Sequence, residues 1–168
     1  MRQVEKDATV RNVVWKGVGF GLTSGVITTL GLIIGLHSGT HSKLAVLAGL
    51  IVLAIADAMS DAMGIHVSEE AEMEHSTREL WETTSFTFAS KFVVSFSFMI
   101  PIVLLEISAA IVASVVWGVA LIMIFSFGMA KAQKQNPTRV IVEHILITIA
   151  VVILAHYIGD AVYEAFGT

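Results

Sequence analysis

Residues 107–129 read ISAAIVASVVWGVALIMIFSFGM, a run without one charged side chain. As a helix rising 1.5 Å per residue it would extend roughly 35 Å, enough to cross a ~30 Å hydrocarbon layer. Similar stretches lie at about 44–66 and 86–105 before it, about 140–163 after it, and about 13–36 near the start. Spanning strands would be only about 10 residues long and would alternate in polarity, so a β-barrel is excluded. Composition agrees: 55% of the 168 residues are hydrophobic and 14% charged, against about 25% charged in soluble domains. The reading is a single all-α domain, polytopic in the membrane, with five transmembrane helices.

The remaining sequence bounds the function. There is no cysteine, which excludes disulfides, thiolate ligands and a cysteine nucleophile. A net charge of −4 without a basic run makes nucleic acid an unsuitable partner. The charged N-terminal stretch Arg2-Gln3-Val4-Glu5-Lys6-Asp7 has no cleavable apolar core, so no signal peptide is expected.

Lys and Arg set the expected direction. Arg2, Lys6, Arg11 and Lys16 precede the first crossing; Arg78 and Lys91 are assigned between the second and third, and Lys131, Lys134 and Arg139 between the fourth and fifth. Lys43 stands alone on the other side. The N-terminus is therefore expected in the cytoplasm and the C-terminus outside or in a lumen. Trp15 and Trp81 fall near the cytoplasmic boundary, where amphipathic rings are favoured.

Between the second and third crossings, residues 67–85 form an acidic cytoplasmic segment with Glu69, Glu70, Glu72, Glu74, Glu79 and Glu82. Ser76-Thr77-Arg78-Glu79 has the form of a capping box, Ser at the cap and Glu three residues on. The second helix is expected to run to about His75, followed by a short helix leading into the third.

Two helices carry candidate chemistry. Gly17, Gly21 and Gly25 are four apart, a spacing that strips one helix face for close packing. Thr23, Ser24, Thr28 and Thr29 add hydroxyls, so the same face could line a pathway, with Ser24 and Thr28 meeting an ion. In the second helix, Asp57 and Asp61 are also four apart and share a face. An ionised aspartate at membrane depth costs at least about 2.5–3.5 kcal/mol, so such a pair calls for a cation, a proton or water. Counting along the helix puts Asp61 roughly 8 Å and Asp57 roughly 14 Å from His66, with no Lys or Arg expected at that depth. Met59 and Met63 offer thioethers or simply fill gaps. His66 with Glu69, Glu70, Glu72 and Glu74 is either a metal-collecting mouth or a solvated face. Asp, Glu and His together suit Mn or Fe(II). His156 and Asp160 form another four-apart pair, with no role assigned.

Over roughly the first 105 residues the sequence resembles the vacuolar iron transporter family, as a short, divergent member. The family's Gly-x-x-Asp-Gly in helix one corresponds to Gly21-Leu22-Thr23-Ser24-Gly25. Its helix-two end, Ser-Met-x-x-Gly-Glu-aromatic-x-Ser, corresponds to Ser60-Asp61-Ala62-Met63-Gly64-Ile65-His66-Val67-Ser68. An acidic helix follows, and the apolar-Pro turn is Phe98-Met99-Ile100-Pro101-Ile102. The family's pathway Asp is thus Ser24, its metal-contacting Met is Asp61, and its Glu is Ile65.

The resemblance implies a homodimer exporting Fe2+ or Mn2+ from the cytosol by proton exchange, with the metal as cargo and no permanent cofactor. The metal set would be Asp57, Asp61, Met63, His66, Glu69, Glu70, Glu72 and Glu74, with Ser24, Thr28 and Met59 lining the pathway. The glycine ladder, Gly17, Gly21 and Gly25, would serve helix packing and dimerisation. The expected host is a prokaryotic plasma membrane rather than an organelle. The rival class is a membrane scaffold or metal sensor using only the acidic segment. An enzyme is not expected: the aspartates share one helix, unlike an intramembrane aspartyl protease, and no His-Glu-x-x-His occurs.

Overall fold

The computed structural model describes residues 2–72 and 76–167, with side chains from residue 15 onward. The described residues form six helices: α1 (Arg2–Thr40), α2 (Lys43–Glu72), α3 (Thr77–Ser97), α4 (Met99–Leu104), α5 (Ile107–Ala132) and α6 (Pro137–Phe166). Five helical stretches are long and apolar enough to cross a membrane, with α3 and α4 together making one of them. Large apolar side chains such as Leu44, Ile124 and Leu104 point outward. A lipid-facing bundle accommodates that exposure, because lipid tails are as apolar as leucine.

Local chemistry sets the breaks. Pro101 has no N–H to give to the Ser97 carbonyl, and its ring crowds that turn, so α3 ends and α4 begins around Phe98, whose N–H bonds to Ser95 O at 3.2 Å. Asn136 caps α6, its side-chain oxygen accepting from Thr138 N at 3.0 Å, with Pro137 at the first helical position. The capping box at Ser76 and Glu79 forms. It opens α3 directly, however, so the separate short helix expected before the third crossing is the first turns of α3 itself. Between α1 and α2 the turn is tight: His41 takes a left-handed φ of 50° and Ser42 Oγ accepts from Ala45 N. Met73, Glu74 and His75, including the expected end of the second helix, lie outside the described residues.

α1 is the central helix, packing against α2, α3, α5 and α6. Its two glycine series make this possible. A Cβ on Gly17 would stand 2.6 Å from Thr83 O, and one on Gly21 would stand 2.5 Å from Thr87 O, so α3 lies directly on this face. One half-length along, Gly35 and Gly39 face Ala155 and Gly159 of α6. The ladder expected to serve dimerisation is thus consumed by packing within one chain: a face already covered by α3 cannot also receive a second copy. Between these contacts Val26, Leu30, Leu50, Val94, Phe98, Ile102 and Ile122 form the apolar core.

Candidate functional site

The close α1–α3 approach has a chemical consequence at Gly25. A Cβ there would stand 3.4 Å from Lys91 Cγ, in ordinary contact, and the stem of Lys91 passes this face of α1 on its way to α2. The Lys/Arg distribution assigns Lys91 to a loop, and no cation is expected near the aspartates. Both expectations are corrected: Lys91 lies well inside α3, with 0% exposure. Its Nζ is 2.6 Å from Asp57 Oδ2, forms a second ion pair with Asp61 Oδ2, and donates to Ser24 Oγ at 3.0 Å. Ser24 Oγ in turn donates to Asp61 Oδ2 at 2.5 Å. Three helices meet in this knot: the ammonium donates hydrogen bonds to Asp61 and Ser24 and pairs with Asp57 through charge.

With all three groups charged, the cluster carries one net negative charge. The lysine is sealed while the acids are not: the Asp57 and Asp61 side chains keep 29% and 21% exposure, against 1% for Lys91. Asp57 Oδ2 itself is buried, so the accessible surface of that side chain lies away from the oxygen that faces Lys91. A partly exposed aspartate on a helix long and apolar enough to cross a membrane would be costly in lipid unless something polar reached it.

The other expected site residues are distributed along α2. Met63 lies two positions beyond Asp61 and Met59 two beyond Asp57, about 200° around the helix, and both are exposed on the outer face; the structure does not bring them to the carboxylates. Thr28 Oγ1 donates to Ser24 O at 2.9 Å, so its hydroxyl is spent on its own helix. His66 Nδ1 is 2.8 Å from Thr84 Oγ1, which itself donates to Leu80 O. That arrangement leaves His66 Nδ1 as the donor, and the ring lies 4.8 Å from that of Trp81.

Glu69 is 3% exposed and ion-paired with Lys16 of α1, whose Nζ is also 3.8 Å from Glu72 Oε2. Glu70 is exposed, and Glu74 lies outside the described residues. Asp57, Asp61, Ile65, Glu69 and Glu72 therefore follow one stripe of α2, spread over roughly 22 Å at 1.5 Å per residue, with apolar Ile65 between two acidic stations. Among the described residues, no three His, Asp or Glu side chains converge as a ready-made metal site. Each acidic station is instead held by a lysine from another helix.

A second polar cluster occupies the far end of α1. Ser38 Oγ is 2.7 Å from His156 Nδ1, and His156 Nε2 is 3.4 Å from Asp160 Oδ2. The His41 ring lies edge-on to Tyr163 at 4.6 Å. The four-apart spacing of His156 and Asp160 forms a local pair on α6, and the hydrogen bond between His156 and Ser38 ties α6 to α1.

No family model matches the chain, and no curated protein or solved structure is significantly similar to it.

Proposed function

We propose that the protein is a cation transporter in which Asp57 and Asp61 take the ion at the seam of α1, α2 and α3. The observation that supports this reading most is the pair of partly exposed aspartates on an apolar helix, paired with a buried ammonium. In this reading the cation position is the Asp57–Asp61 pair, on the same α2 stripe as Glu69 and Glu72. In this reading those acids and His66 gather cations at the cytoplasmic mouth. The cargo class, Fe2+ or Mn2+, its export from the cytosol in exchange for protons, and a homodimeric assembly rest on the sequence resemblance described above. The orientation rests on the Lys/Arg distribution. Removing Lys91 from the loop count still leaves Arg78, Lys131, Lys134, Arg139 and the N-terminal cations opposite Lys43. A prokaryotic plasma membrane is the proposed location.

One observation favours a second reading, a membrane scaffold or metal sensor: both aspartates already have a partner, so the knot could serve only to fix α2 to α3. Flux separates the two. Purified protein in liposomes should move Mn2+, Asp61→Asn should abolish that movement with an unchanged size-exclusion profile, and Asp57→Asn should weaken it. A wild-type rate in Asp61→Asn, or no flux above empty liposomes, would sink the transporter reading.

A further inference from the structure

We infer that Lys91 is a tethered cation that competes with cargo, and that it sets the selectivity of the Asp57–Asp61 site against divalent ions. This rests on the reading of those aspartates as cation ligands. The geometry carries the argument. Lys91 Nζ contacts one oxygen of each carboxylate and Ser24 Oγ, the donor atoms that an ion drawn between the two aspartates would use. A dication in contact with those oxygens would sit beside the ammonium with like charge, in surroundings that screen poorly. With Lys91 in place, the site offers one net negative charge and cannot neutralise a divalent ion. With Lys91 withdrawn, it offers two.

The fold supplies what a displaceable competitor requires. The lysine stem is long and unbranched, and it passes α1 at Gly25, where even an added Cβ would be in ordinary contact with it. The incoming ion does not have to pass the lysine, since the accessible side chains are Asp57 and Asp61 and not the sealed Lys91. Charged groups near the knot come from two packed helices: Asp57 and Asp61 on α2, and, beyond Ile65, Glu69 paired to Lys16 of α1. Neither helix brings a second cation to the aspartates among the described residues, so removing the Lys91 charge changes the site without a substitute in reach.

The test is equilibrium Mn2+ binding to the full chain in detergent, which requires no flux. Lys91→Gln keeps much of the length and loses the charge, and it should bind Mn2+ at least tenfold more tightly than wild type. Lys91→Arg keeps a cation there and should remain weak, and Asp61→Asn combined with Lys91→Gln should lose the gain. Equal affinity in wild type and Lys91→Gln overturns the competitor role alone. Absence of Mn2+ binding in both overturns that role and the cation-site reading together. If Lys91→Gln does not fold, the wild type still decides through reductive methylation read by mass spectrometry. Lys91 should be protected without metal and should become modified when Mn2+ drives it off the carboxylates. Equal protection at all Mn2+ concentrations overturns the inference.

Discussion

Gly21→Ala tests whether the α1–α3 contact is as tight as the glycine ladder makes it. The added Cβ would stand 2.5 Å from Thr87 O and 3.1 Å from Lys91 N, and closer still to Ser90 Oγ. The serine hydroxyl can rotate away, but the Thr87 carbonyl belongs to the α3 backbone. Restoring an ordinary 3.4 Å contact therefore requires α3 to retreat by about 1 Å. Overpacking of this kind costs about 1–3 kcal/mol, which for a chain of this size corresponds to roughly 2–12 °C in melting temperature.

Two internal comparisons calibrate the effect. Gly25→Ala meets its nearest neighbours at 3.3–3.4 Å and should be close to neutral. Gly64→Ala meets nothing within 4 Å and should be neutral or slightly stabilising, since alanine is the better helix former by about 1 kcal/mol. The assay is thermal unfolding in detergent, followed by size-exclusion chromatography. Because the ladder is buried within one chain, oligomeric mass should not change. If Gly21→Ala melts with Gly64→Ala, or loses association while keeping its melting temperature, the intramolecular assignment of this face is wrong.

Cysteines placed at Ser42 and Gln135 should react with an impermeant reagent from opposite sides of the membrane; labelling of both from one side would reject the five-crossing topology. Gly159→Leu should lower the melting temperature by several degrees, because even its Cβ would stand 2.6 Å from Gly35 O and 2.7 Å from Ser38 Cβ; an unchanged melt would place α6 elsewhere. Replacing both Glu69 and Glu72 by Gln should raise the Mn2+ concentration needed for half-maximal flux while flux at high Mn2+ persists. An unchanged concentration dependence would confine these acids to their ion pairs with Lys16.

The apolar segments were legible because length and the absence of charge suffice to mark a spanning helix. Their ends were less so. The first helix was expected from residue 13 and the third from residue 86, whereas α1 includes Arg2 and α3 begins at Thr77. Hydropathy measures where apolar side chains stop, and a helix continues beyond them as long as its backbone hydrogen bonds can form. The capping box at Ser76 was readable as a helix start, because it depends on two side chains three residues apart. Continuity with the third crossing depends on no single residue. The glycine spacing announced close packing, but a stripped face does not name its partner; α3 and α6 supply that answer only in three dimensions.

The aspartates were found because charge in an apolar helix is conspicuous, and the same test applied evenly would have found their partner. Residues 86–105 form one of the apolar stretches, and Lys91 lies inside that range, five residues from its start. Asp61 lies five residues from the end of 44–66. Neighbouring helices run in opposite directions, so these two offsets describe the same depth, about 8 Å at 1.5 Å per residue. A lone cation and a lone acid at equal depth on consecutive helices have every electrostatic reason to meet, since each is expensive in lipid alone. Counting Lys91 as a loop charge concealed this, because the orientation rule tallies cations near helix ends and is blind to one that has been drawn inward. What no count could supply is Ser24. Its hydroxyl joins the knot because Gly17 and Gly21 let α3 lie against α1, and so residues that lack side chains help determine where the charged ones converge.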